Sequence, residues 1–85
     1  MFNTKMPPEF YIKQIQETAD KLMPPDLKAT DPALWSSLQY LQGLANGMWI
    51  AGVITIEVRI EQHNAFLTRY NQIVMPTIEA LERAG

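Results

Sequence analysis

The sequence predicts an all-α protein: a small helical bundle with a long central helical region, completed by oligomerisation. Three observations carry that expectation. Apolar residues recur at three- and four-residue steps through most of the chain. Proline pairs and an Asp-Pro step punctuate it where helices should stop and start. Finally, 19% of the 85 residues are charged, yet no charged side chain lies between Asp31 and Glu57. A helix in water normally carries charge on its outer face, so that span is expected to be covered on more than one side.

The chain reads as a single domain, residues 1–85, since this length holds one modest core. Residues 1–7 show no period and read as a loose terminus, ended by Pro7-Pro8. Pro8 suits a first helical position, where the missing N–H costs nothing. Helix 8–23 follows, with Ile12, Ile15, Ala19 and Leu22 on one stripe. Glu9, Lys13, Glu17 and Lys21 stand four apart on the other side, in the acid-before-base order that stabilises a helix by roughly 0.2–0.5 kcal/mol per pair. Pro24-Pro25 pushes the preceding residue out of the α region and opens a linker, 24–31.

Asp31-Pro32 restarts the chain, a side-chain oxygen at the cap and proline at the first position. The central region runs from 32 to 75. Its first part carries Leu34, Leu38, Leu41 and Ala45; Asn46-Gly47 is the expected interruption, since both residues tolerate a left-handed cap. Trp49 to Glu61 is ambiguous. Ile54, Ile56, Val58 and Ile60 alternate with polar residues as a strand would. The same stretch also fits a heptad seam of Trp49, Val53, Ile56, Ile60, His63, Leu67, Tyr70 and Val74. No second alternating run exists to pair with a strand, so helix is the stronger reading, with an intermolecular ribbon as the alternative. Pro76 is expected to break the helix near Met75, leaving a short terminal helix, 76–85, with a Glu79–Arg83 pair.

Composition excludes several functions. Without cysteine there is no disulfide framework, thiolate metal site or cysteine nucleophile. A net charge of −2 argues against a nucleic-acid partner, because phosphate neutralisation needs a basic excess. His63, the sole histidine, has Arg59, Ile60, Phe66 and Leu67 at helical spacing, so no metal site, catalytic base pairing or cofactor is expected. No glycine-rich phosphate loop is present. Nothing resembles an export signal, and a cytoplasmic location is expected.

What remains is protein contact. The expected interface takes the small-residue stripe Gly43, Gly47 and Ala51, which would let another backbone approach closely. It adds the seam residues Trp49, Val53, Ile56, Ile60, Leu67 and Tyr70. The expected function is a non-catalytic interaction module (adaptor, inhibitor or assembly subunit) acting as a homo-oligomer, most simply a dimer, and engaging another protein. The alternative is a small membrane-associated protein using residues 34–56; six polar side chains between Ser36 and Thr55 disfavour it.

Overall fold

The computed structural model describes residues 6–84. Those residues form three helices: α1, Pro8–Leu22; α2, Ala33–Ile50; and α3, Ile56–Ala84. Among them there is no strand. Most of the stretch 1–7 expected to be loose lies outside the described residues.

α1 begins and ends where its prolines require. Pro8 opens it and Met23 caps it, the Met23 N–H donating to the Ala19 carbonyl at 2.8 Å. α2 starts one residue later than expected, but on the expected device: Asp31 Oδ1 accepts from the Ala33 N–H at 2.9 Å.

Two boundaries differ from the sequence reading. The central region is not one helix to residue 75, and its break is not at Asn46-Gly47. Both of those residues lie inside α2, which continues to Ile50. The stop comes at Gly52, the glycine with positive φ (77°). There the Gly52 N–H donates to the Trp49 carbonyl at 2.9 Å and the Val53 N–H to the Met48 carbonyl at 3.0 Å, the paired bonds of a Schellman cap. Thr55 then caps α3, its Oγ1 accepting from the Val58 N–H at 3.2 Å. Gly52 and Thr55 are therefore the true punctuation, and Ile56–Ile60 is helix rather than strand.

The second difference is at Pro76. α3 runs through it to Ala84, so residues 76–84 are no separate helix. Proline removes the bond to the carbonyl four residues back. That carbonyl belongs to Gln72, which is exposed, so water can satisfy it.

The core is the junction of all three helices. Ile15, Met23, Leu41 and Phe66 are its largest fully buried side chains, joined by Ala19, Leu34, Leu38, Ala45, Ile54 and Ile73. Each large aliphatic or aromatic side chain so buried stabilises the fold by about 1.5–3 kcal/mol. Arg69 of α3 ties the α1 end down: its Nη1 donates to the Met23 carbonyl at 3.1 Å and its Nη2 to Asp20 Oδ1 at 2.8 Å. A cation at that position also suits the helix C-terminus.

The molecule is long, 61 × 21 × 16 Å, with a radius of gyration of 15.4 Å. A compact chain of this length would have about 12 Å. The cause is α3: at 29 residues it outruns α2, and every residue from Met75 to Ala84 is exposed.

Candidate functional site: an open face along α2 and α3

α2 and α3 pack antiparallel, as four contacts in descending and ascending order show. Trp35 meets Tyr70 edge-to-face at 6.1 Å. The Gln42 backbone lies beside His63. Asn46 Oδ1 accepts from Arg59 Nη1 at 2.9 Å, and the Arg59 guanidinium lies 4.7 Å from the centre of the Trp49 ring. Trp35, Gln42 and Trp49 are seven residues apart, so they line one edge of α2.

α1 occupies the other side of this pair. Its Gln16, Ala19 and Asp20 face Gln62, Ala65, Phe66 and Arg69 of α3, and its Thr18, Lys21 and Leu22 flank Ser36, Ser37 and Tyr40 of α2. The Trp35–Trp49 edge and the adjoining stripe of α3 have no such cover. Trp35 is 56% exposed, Ile60 49%, Leu67 43% and Leu81 68%. Ile56, His63, Tyr70 and Val74 are half-buried between them. Because α3 continues past Pro76, the stripe extends to Ile78 and Leu81, both exposed.

The residues expected at the interface thus divide. Trp49, Ile56, Ile60, Leu67 and Tyr70 come together on the open face, with Val53 half-buried in the loop at its end. Gly43 and Gly47 do not join them. They lie on the outer side of α2 with Ser36 and Tyr40, and a Cβ at either would meet no atom within 4 Å. Ala51 is the C-cap of α2, exposed beyond the helix. Of the aromatics, Phe66 is core, whereas Trp35 and the tail residues Ile78 and Leu81 belong to the face. Their signal was present in the sequence: Trp35 stands seven before Gln42, and Ile78 and Leu81 continue the four–three steps once Pro76 is allowed within the helix.

The face holds two cationic or titratable groups, Arg59 and His63, one helical turn apart. His63 is held below the usual histidine range by burial first and by the Arg59 charge second, the Gln42 backbone beside it opposing both. Arg59 Nε and His63 Nε2 are buried atoms with no hydrogen-bond partner among the described residues. The shallow groove between α1 and α2, about 430 Å³, is lined by Leu22, Ala33 and Tyr40 with Lys21 at its rim. Among the described residues no three His, Asp or Glu side chains are grouped so as to hold a metal ion. Nor is any described helix long and apolar enough to cross a membrane.

Fold and face together define a small three-helix protein with an apolar side that its described helices leave exposed. In comparison with known proteins, the chain matches no family model, no curated protein and no solved structure.

Proposed function

We propose that the protein is a non-catalytic interaction module that self-associates, serving as an adaptor, inhibitor or assembly subunit through helical surfaces, in the cytoplasm. One observation carries this reading: the seam from Ile56 to Leu81, with Trp35 and Trp49 beside it, is apolar and uncovered by the chain's own helices. Scattered exposed apolar residues are ordinary on a soluble protein, but a contiguous patch marks an interaction surface. Aromatic side chains set in such a patch are the residue type that supplies most binding energy.

Light scattering and sedimentation equilibrium at micromolar concentration test it. The expected result is a mass twice that of the 9.7 kDa chain, with an unfolding midpoint that rises with concentration, as mass action requires. A compact monomer whose midpoint is independent of concentration overturns the reading.

A further inference from the structure

The open face poses a geometric problem that a second copy solves. At one end lie Trp49, Ile50 and Ile60, exposed beside the α2–α3 turn. At the other end α3 projects beyond α2, carrying Met75, Ile78 and Leu81, all exposed. Building on the self-association proposed above, we infer that two copies pair face to face with their α3 helices antiparallel, each projecting tail lying on the other copy's Trp49–Ile60 end.

Three observations favour this arrangement. The first is register. With Leu81 opposite Ile56, Val74 meets His63 and Tyr70 meets Leu67, and Ile78 falls within one residue of Ile60. The arrangement is isologous, so both copies gain the same cover and no seam is left over.

The second is area. The seam from Ile56 to Leu81 is about 38 Å long at 1.5 Å per residue. Two helices packed about 8–10 Å apart make it about 20 Å wide over the roughly 21 Å where α2 runs beside α3, and the projecting tail adds a strip about 10 Å wide. The sum is on the order of 600 Å², the lower end of what each partner buries in a standard stable interface.

The third is charge. A parallel pair sets Arg59 against Arg59 and His63 against His63. The antiparallel pair instead brings the tail bearing Glu79 and Glu82 to the level of Arg59.

The absence of cysteine makes the test direct. Ile60 and Ile78 are 18 residues, five helical turns, apart, so they share a face yet lie about 27 Å from each other along α3. Both are exposed, so Ile60→Cys and Ile78→Cys leave the core intact. Each variant is oxidised alone and mixed one to one, with light scattering on the wild type in parallel. The expected result is a dimer in which neither variant cross-links with itself and the mixture yields a disulfide-linked heterodimer. Self-cross-linking of each variant shows a parallel pair, which overturns this inference while leaving self-association standing. A dimer with no cross-link in any sample puts the interface elsewhere and also overturns it. A monomer removes the inference together with the reading on which it rests.

As a check independent of disulfide geometry, Leu81→Glu in a Trp35→Phe background should alter Trp49 emission at a concentration where scattering still shows dimer. Leu81 and Trp49 sit at opposite ends of the same chain, so only a neighbour's tail can connect them. Unchanged emission in the dimeric variant overturns the antiparallel arrangement.

Discussion

Phe66 and Leu67 are neighbours on α3, and the two sides of the helix they occupy have opposite fates. Phe66 is 2% exposed, enclosed by α1 and α2 with Ile15, Ala19 and Leu41. Leu67 is 43% exposed on the side where no helix of the chain packs. Both sides carry large apolar residues at helical spacing. The difference is that α1, held by Arg69 and by the linker prolines, covers one side, while no other described helix covers the second. A chain of this size has too few helices to close both faces of a pair as long as α2 and α3.

The comparison can be broken most forcefully on its closed side. Phe66→Ala should cost about 3–5 kcal/mol, the range for truncating a buried aromatic. For a domain of this size that lowers the thermal midpoint by well over 10 °C, at about 4–8 °C per kcal/mol. Circular dichroism melts at one fixed concentration measure it. A loss under about 1 kcal/mol would mean that Phe66 does not hold the core.

Leu67→Ala, one residue away, sharpens the contrast. It should change the stability of the dissociated chain by under about 0.5 kcal/mol, as surface substitutions do. Self-association should weaken roughly tenfold, as for truncation of a buried interface residue. Sedimentation equilibrium gives the second number and dilute-solution denaturation the first. An unchanged association constant would remove Leu67 from the interface.

Arg69→Ala tests what holds α1 in place. It removes the bond to the Met23 carbonyl and the Asp20 ion pair, and should cost about 1 kcal/mol, since partial exposure of both partners screens the charge. Asp20→Asn keeps the Met23 bond and should cost less in urea melts. Equal losses would assign the effect to the ion pair instead.

Gly43→Ala acts in the other direction. The helical backbone there has open space around it, so the alanine should stabilise by about 0.5–1 kcal/mol through helix propensity. Self-association should not change, because Gly43 lies away from the seam. Weakened association would instead restore the glycine stripe as a contact surface.

The smallest effect is that of pH. The His63 pKa is lowered in the folded chain, so the unfolded chain binds the proton more readily. Stability from this group is therefore complete above the ordinary histidine value of about 6.5 and declines as pH falls from there to the lowered folded value. His63→Gln should flatten the urea-midpoint profile between about pH 7.5 and pH 5, within the range where histidine titrates. A wild-type slope that persists unchanged in the variant would assign it to carboxylates.

The local features of this fold were legible because they act over a turn or less. Pro8, Asp31 and the prolines at 24 and 25 set the ends of α1 and the start of α2 by constraints on neighbouring φ and ψ. The Glu79–Arg83 pair, found at 3.3 Å, is likewise a matter of one helical turn. Glu9–Lys13 and Glu17–Lys21 have the same spacing but are not ion pairs among the described residues, since exposed side chains gain little by closing. The end of α2 was misplaced because Asn46-Gly47 and Gly52 both offer a left-handed stop. The choice fell to Gly52, since the Schellman bonds there place Val53 and Met48 against the core while Asn46 remains helical and receives Arg59.

From the sequence came the helical character of the chain, the ends of α1 and the start of α2, and a helical period that leaves more apolar surface than one face needs. The tertiary structure decided which of those residues α1 covers, which remain open beside Trp35 and Trp49, and that the glycines sit on neither. Periodicity fixes which residues share a side of one helix. Only the packing of the other helices determines whether that side meets protein or water.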